Sequence, residues 1–330
     1  MENNLQERGF LVKDRKPHHI ILRYRDNNRF IKDRNNNFLY GLVDFELLAR
    51  TPERDEIIKK VKRQKYLKKQ KDRFNISKIN NFPPYLKLVN IFNVDYIYGI
   101  AESTNGALWV LGRDPDLFEY FLPEKWEKMP RIKLSINNEI FYTITKDNIH
   151  LVWKFSKVGL RPDLNPFNQR EKKIIEYGYN SPFEEVSLSL ELGCKDIPTI
   201  YPRAIYMTGH KVKIAEYLIS NKKYETHSKL KTPEGKPVLR KDHDYIIIYG
   251  YWNGPDEKLA MKDSDYYEGI DALRAYKEKI ITKVQYKYLL KTIRKRLNEV
   301  GIEDLNLKGS HFLLSFDSSK NLIKDSHKIP

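Results

Sequence analysis

The two ends of this chain carry one pattern twice. Leu5 to Phe38 aligns without a gap on Leu297 to Pro330, at an offset of 292 positions. Nine of the 34 pairs are identical: Leu5/Leu297, Glu7/Glu299, Gly9/Gly301, Lys16/Lys308, His19/His311, Leu22/Leu314, Ile31/Ile323, Lys32/Lys324 and Asp33/Asp325. Chance would give about two. Apolar character is also kept at Ile20/Phe312, Ile21/Leu313, Tyr24/Phe316 and Phe30/Leu322. Such a repeat requires one supersecondary unit to recur near both termini.

The repeated unit reads as a helix end, a glycine stop, a short loop and a hairpin. In the second copy, Gln285 to Val300 has Tyr288, Leu289, Ile293 and Leu297 at helical spacing, with Gly301 ending the helix. His311 to Phe316 and Asn321 to Lys324 are its expected strands. In the first copy the second strand is expected at Phe30 to Asp33, with Leu39 to Val43 a further apolar run. The chain is thus expected to start inside one unit and end inside the next, as an offset or truncated piece of a tandem protein.

Composition bounds the rest. The chain has 330 residues, with 60 Lys+Arg against 44 Asp+Glu for a formal charge of +16. That length holds a sizeable core and one to about three domains. The 22 Tyr and 15 Phe argue against whole-chain disorder. Cys194 is the single cysteine, which excludes an intramolecular disulfide and a zinc site built from several thiolates. The polar N-terminus has no apolar core of a signal peptide, and the longest apolar run, Tyr245 to Trp252, is too short for a bilayer span. A cytoplasmic, reducing setting is the expectation.

The segment Glu53 to Phe74 has a helical pattern, with acids in its first turn and bases later, matching the helix dipole. Two readings stay open for it. One is a solvated helix with a thin packing face of Ile57, Ile58, Val61, Tyr66 and Leu67. The other is a helix contacting nucleic acid or an acidic partner through cations such as Lys59, Lys62 and Lys69. Neither zinc-finger spacing nor an RNP aromatic motif accompanies it.

Between the copies, three strands are expected in 131–158, separated by Asn-Asn and Asp-Asn turns. Ser181 to Leu192 is a helix with Ser181 as cap, Pro182 in the first turn and Glu184 completing a capping box. Strands follow at Ile200 to Met207 and Tyr245 to Trp252, then helices at Asp265 to Ile281 and Gln285 to Val300. The class is α+β. The expected divisions are a hairpin segment (1–50), a basic helix and linker (51–80), a mixed strand and turn segment (81–130), a small β-rich lobe with one helix (131–252), and a helical segment with the second hairpin (253–330).

Two strings give this order a family resemblance. Asp14-Arg15-Lys16-Pro17-His18-His19 is similar to the protein-kinase-like catalytic loop Asp-x-Lys-Pro-x-Asn, and Asp44-Phe45-Glu46 to its Asp-Phe-Gly metal site. The resemblance implies a β-rich small lobe and a helical lobe, Mg2+ and ATP as cofactors, and phosphoryl transfer to a hydroxyl. Under it, Asp14 orients the acceptor, Lys16 lies beside the transferred phosphoryl, and Asp44 and the residue at His19 face the metal. Lys154 falls where the family places its phosphate-pairing lysine. Glu185, with Glu191 as second choice, is then the helix glutamate beside it. Tyr245 to Tyr251, Tyr249 and Tyr251 included, forms the hinge next to the adenine.

The departures are equally specific. His19 stands where the family has Asn, and magnesium favours hard oxygen ligands. Glu46 replaces the last glycine of Asp-Phe-Gly, no glycine-rich loop opens the strands of 131–158, and Asn306 and Gly309 replace Asp14 and Pro17 in the second copy. A complete site would need 1–50 to meet the lobe of 131–252, in the same chain or by self-association. Taken alone, Asp14 and Lys16 also read as loop residues, Asp44 as a helix cap, and Lys154 as an exposed strand position. A pseudokinase-like protein that only binds nucleotide fits the same pattern, and a noncatalytic basic interaction protein is the alternative. No P-loop, dinucleotide fingerprint or nucleophile elbow is present.

Overall fold

The computed structural model describes residues 2–13, 20–25, 29–42, 48–75, 82–135, 138–213, 215–251 and 269–315. They fall into two units, Met1–Lys65 and Tyr66–Pro330. No helix among the described residues is long and apolar enough to cross a membrane.

The first unit contains α1 (Glu2–Glu7), β1 (Phe10–Val12), β2 (Ile20–Leu22), β3 (Tyr40–Leu42), β4 (Leu48–Arg50) and most of α2 (Pro52–Lys71). Helix α1 stops at Gly9, whose φ of +85° suits glycine and whose N–H donates to the Gln6 carbonyl at 2.9 Å. A β-carbon there would lie 2.7 Å from the Arg54 side chain, so the close approach also requires glycine. Strand β1 pairs antiparallel with β4, and β2 with β3. Val12 sits opposite Leu48 and Ile20 opposite Leu42. Thr51 starts α2, its Oγ1 accepting from Arg54 N, with Glu53 and Asp55 in the first turn and Lys68, Lys69 and Lys71 in the last.

The first hairpin, with Phe30 to Asp33 as its expected second strand, is met only at Phe30 and Ile31, which pair with Tyr24 and Arg23, and Lys32 turns to Phe38. Strand β2 pairs instead with β3, and the intervening chain forms two short arms bridged at Tyr24/Phe30 and Lys32/Phe38. The second turn explains this: Asp33 Oδ1 accepts from Asn35 N and Asn37 N, and Asn36 takes a φ of +63°. The arms and the β2–β3 stem meet in a ring of backbone bonds. Arg23 N donates to Leu39 O, Leu39 N to Ile31 O, and Ile31 N to Arg23 O, at 3.0, 2.8 and 2.9 Å.

The second unit opens with the last turns of α2. It continues through β5 (Lys87–Ile91), β6 (Val94–Ala101), β7 (Gly106–Leu111), α3 (Pro123–Trp126), β8 (Arg131–Lys133), β9 (Ile140–Ile144) and β10 (His150–Phe155). Then come α4 (Gln169–Tyr177), α5 (Pro182–Cys194), β11 (Pro202–Met207), α6 (Lys222–Thr226) and β12 (Tyr245–Gly250). The unit ends with β13 (Gly269–Asp271), α7 (Ala272–Lys277), α8 (Lys283–Glu299) and β14 (Leu313–Ser315). Its centre is an eight-stranded antiparallel sheet in the order β5-β6-β7-β11-β12-β10-β9-β8. Strands from 81–130 and from 131–252 therefore share one sheet.

Both faces of that sheet are covered, so β7, β11 and β12 are buried at every position. This is why they read as unbroken apolar runs such as Tyr245 to Tyr249 instead of alternating. One face packs Leu108, Val110, Phe121, Trp126, Leu151 and Trp153, with Tyr66 of α2 5.2 Å from the ring of Tyr120. The other packs Tyr96, Trp109, Ile205, Ile247 and Tyr249 under Phe183 and Val186 of α5. The three strands expected in 131–158 and the helix capped by Ser181 are all present.

Downstream, the expected helix over Asp265 to Ile281 is shorter among the described residues. Gly269–Asp271 is strand β13, paired with β14, and Asp271 caps α7 by accepting from Arg274 N at 2.9 Å. The strand ends and the helix starts at that aspartate. Helix α8 begins in a capping box between Thr282 and Gln285. It ends in a Schellman pair, Gly301 N to Asn298 O and Ile302 N to Leu297 O, with φ +78° at Gly301. The hairpin expected at His311 to Phe316 pairs backward with β13; the strand expected at Asn321 to Lys324 lies outside the described residues.

Candidate functional site

Strand β10 alternates across the sheet. Leu151 and Trp153 point into the core face that holds Trp126, while Val152 packs on the face covered by α5. Lys154 is in register with Ile140 and Ile247, two residues after Val152, and so shares the α5 face. Helix α5 is held above it by local chemistry. Ser181 Oγ accepts from Glu184 N at 3.1 Å and Glu184 Oε2 accepts from Ser181 N at 2.7 Å. Phe183 then wedges between the rings of Tyr96 and Trp109, at 6.0 and 5.3 Å.

That anchoring sets Glu185 against the strand. Its Oε1 accepts from Lys154 Nζ in an ion pair and from Tyr249 Oη at 2.7 Å. The ammonium also lies 5.8 Å from the Tyr249 ring centroid. Side-chain exposure is 28% for Lys154 and 30% for Glu185, so the pair is open on one side. Tyr249 is buried, and burial, followed by the adjacent Glu185 charge and hydrogen bond, holds its hydroxyl well above the ordinary phenol range. It stays protonated and donates. Glu191 is occupied elsewhere, by Lys195 at 2.6 Å on the same helix. The structure therefore joins Lys154 to Glu185 and not to Glu191.

A second polar cluster fixes the start of α5. Lys223 Nζ donates to Glu184 Oε1 at 2.9 Å and lies 4.5 Å from the Tyr177 ring centroid. His227 Nε2 and Ser181 Oγ are 2.7 Å apart, and both residues are buried. Burial pushes the His227 pKa below its ordinary 6.5. Tyr177, Glu184, Lys223 and His227 border a shallow cavity of about 190 Å³ lined also by Phe92, Lys222 and Thr226. Only the Ser181–Glu184 capping box of this cluster is local; Ser181 and His227 are 46 positions apart, so no local pattern marks their contact.

Of the two tyrosines expected at a hinge, Tyr249 lies within β12, flanked by β10 and β11. Tyr251 stands where that strand leaves the sheet. Its N–H donates to His150 O at 3.3 Å, and its ring lies 5.1 Å from that of Tyr142. Asp14, Lys16, His19 and Asp44 lie outside the described residues. The strand ends around them are described: the chain passes from the β1–β4 pair to the β2–β3 pair after Val12, and back after Leu42. Because Val12 faces Leu48 and Ile20 faces Leu42, both crossings join the same two pairs of strand ends.

The second copy of the loop is described. Asn306, at the position of Asp14, donates its N–H to Asp304 Oδ1 at 2.8 Å, and His311 Nδ1 lies 3.9 Å from Asp304 Oδ2. Burial raises the Asp304 pKa, but His311 and the Asn306 N–H outweigh it and the net shift is downward. Gly309 replaces Pro17, and a β-carbon there would fall 2.4 Å from Tyr286 Oη. In the basic helix, Lys69 bridges Asp114 and Asp116 at 2.7 and 2.8 Å, and Gln70 is buried under Arg203 at 2.8 Å. Its last turns are packing, with one of the cations proposed for a polyanion already engaged.

Among the described residues, no group of three or more His, Cys, Asp or Glu is placed to hold a metal ion. Compared with known protein families, with curated proteins and with solved structures, the chain has no match.

Proposed function

We propose that this chain is a kinase-like or pseudokinase-like nucleotide-binding protein. The observation that carries the reading is the Lys154–Glu185 pair. A carboxylate on a packed helix holds a part-exposed ammonium beside the sheet, leaving two of its three N–H donors for an anion. The order of elements supports it: three antiparallel strands β8–β10, the helices α4 and α5, then β11, the short α6 and β12, with β12 beside β10. In sequence, the two aspartate strings fall in the two connections between the β1–β4 and β2–β3 pairs, outside the described residues.

The residues suit a nucleotide triphosphate in part. Lys154 can pair with phosphate oxygens, and the backbone near Tyr251 with the base. The β8–β9 connection, 134–139, has no glycine, so phosphate binding rests on the lysine. If the chain is active, Mg-ATP would supply the γ-phosphoryl group, Asp14 would orient the acceptor hydroxyl, Lys16 would offset charge, and Asp44, with His19 a poorer partner, would hold the metal. The strings and the Lys154 pair lie on different units, so catalysis under this reading would require both, from one chain or from two.

The test is calorimetric titration and thermal shift of the full chain with ATP, with and without Mg2+. Stabilisation by ATP that disappears in Lys154→Ala is the expected result. Asp44→Asn should remove only the magnesium dependence. Binding stoichiometry against sedimentation distinguishes one chain from two. No response to nucleotide at millimolar concentration, or a response untouched by Lys154→Ala, would overturn the reading.

A further inference from the structure

The two arms between β2 and β3 have no part in phosphoryl transfer. Their sequence is a short tandem: Asn27-Asn28-Arg29-Phe30-Ile31 recurs eight positions on as Asn35-Asn36-Asn37-Phe38-Leu39. Residues directly opposite in an antiparallel pair share a face. Tyr24 is thus on the face of Phe30, and Lys32 on that of Phe38. The Phe30 and Phe38 rings meet edge to face at 5.6 Å, joining both pairs into one row. Tyr24, Phe30 and Phe38 are 64%, 51% and 48% exposed. The Lys32 ammonium lies 4.9 Å from the Phe38 ring centroid.

Positive charge predominates in this segment. Residues 20–42 hold Arg23, Arg25, Arg29, Lys32 and Arg34 against Asp26 and Asp33. The four arginines are exposed, and none has an ion-pair partner among the described residues. Asp33 is turned into its own loop, and the backbone N–H of Asn37 leads in holding its carboxyl below the usual range. Lys32 also donates to Asn36 Oδ1 at 3.0 Å, so the surface combines the exposed rings of Tyr24 and Phe30, and Phe38 beneath Lys32, with four arginines that have no ion-pair partner among the described residues, on a backbone ring that keeps their spacing.

We propose that these arms bind single-stranded nucleic acid, with bases stacking on Tyr24, Phe30 and Phe38 and phosphates meeting Arg25, Arg29 and Lys32. A duplex offers phosphates but hides its base faces, and an acidic polypeptide engages cations but leaves the rings bare. Only an unstacked strand uses both. This surface is distinct from the α2 helix and independent of nucleotide binding at Lys154.

The test uses the full chain and labelled oligo(dT), oligo(U) and duplex of about twenty nucleotides, followed by fluorescence anisotropy between about 50 and 200 mM salt. Both single strands should bind more tightly than the duplex. Tyr24→Ala removes a ring that contributes little to folding at its exposure, and should weaken binding about tenfold with the salt slope unchanged. Arg25→Gln with Arg29→Gln should lower the log–log salt slope by about 1.4. Preference for the duplex, equal competition by polyglutamate, binding indifferent to Tyr24→Ala, or no binding at low salt would each overturn the proposal.

Discussion

Replacing Glu185 by alanine removes one acceptor from two donors, and the two losses differ in size. Tyr249 is 1% exposed, and its hydroxyl has Glu185 as its acceptor. Leaving a buried hydroxyl without a partner costs about 1–3 kcal/mol. Lys154 is 28% exposed and can rehydrate, so losing the ion pair costs at most about 1 kcal/mol after solvent screening. Glu185→Ala should therefore destabilise the second unit by about 2–3 kcal/mol, most of it through the tyrosine. Each kcal/mol lowers the melting temperature of a body this large by about 2–4 °C. Adding Tyr249→Phe removes the stranded hydroxyl, so the double variant should recover about 1–2 kcal/mol relative to Glu185→Ala. Urea unfolding read by fluorescence of the buried Trp109, Trp126 and Trp153 measures the cycle. Strict additivity of the two single losses would show that Tyr249 and Glu185 are not coupled, and the local geometry would have to be abandoned.

Further outcomes follow from other buried groups. His227 is held neutral by burial, so its folded pKa is lower than the unfolded 6.5; the stability it contributes is complete above about pH 6.5 and lost as pH falls below that toward the folded value. Unfolding curves from pH 7.5 to 5 should thus lose a slope in His227→Gln, and an unchanged slope would refute the assignment. Ser181→Ala removes the cap of α5 and strands His227, and should cost about 2–3 kcal/mol in urea unfolding. Lys69→Ala leaves Asp114, only 8% exposed, without its cation and should cost about 2 kcal/mol, whereas Lys59→Ala, on an exposed pair, should be near neutral in the same assay.

How much was legible beforehand depended on how local the cause was. Helix α5 could be read with its cap because Ser181, Pro182 and Glu184 act within one turn. Gly9 and Gly301 likewise marked helix ends, since a positive φ is a property of a single residue. The strands of 131–155 and 202–250 announced themselves by apolar runs, but their order did not. Nothing local tells that β12 lies between β10 and β11, or that β7 joins them, because those pairings are chosen by long-range packing. The arms of residues 23–39 were missed for a related reason: Asn-rich stretches look like turn filler, and only the backbone ring turns them into a framework. At the site, the lysine and glutamate were reached through family resemblance. The hydroxyl of Tyr249 was not assigned to Glu185, since an aromatic inside a buried strand looks like core.

The remaining question is why a chain would keep Lys154 at all. A half-open ion pair adds little to stability, and a fully buried one is often matched by an apolar pair of the same volume. Position 154 lies one strand in from the β8–β9 hairpin, where an isoleucine or methionine would extend the Val152 packing. Stability therefore does not explain a cation there, whereas a fixed, part-exposed positive charge beside the sheet does. Lys154→Met separates the two. It keeps the length of the side chain and leaves Glu185 partly hydrated and still bonded to Tyr249, so urea unfolding should shift by less than about 1 kcal/mol. Nucleotide-induced stabilisation should vanish in the same protein. A Lys154→Met variant that unfolds as readily as Glu185→Ala, while its response to ATP matches that of the parent chain, would make the pair a structural strut and leave the nucleotide without its anchor.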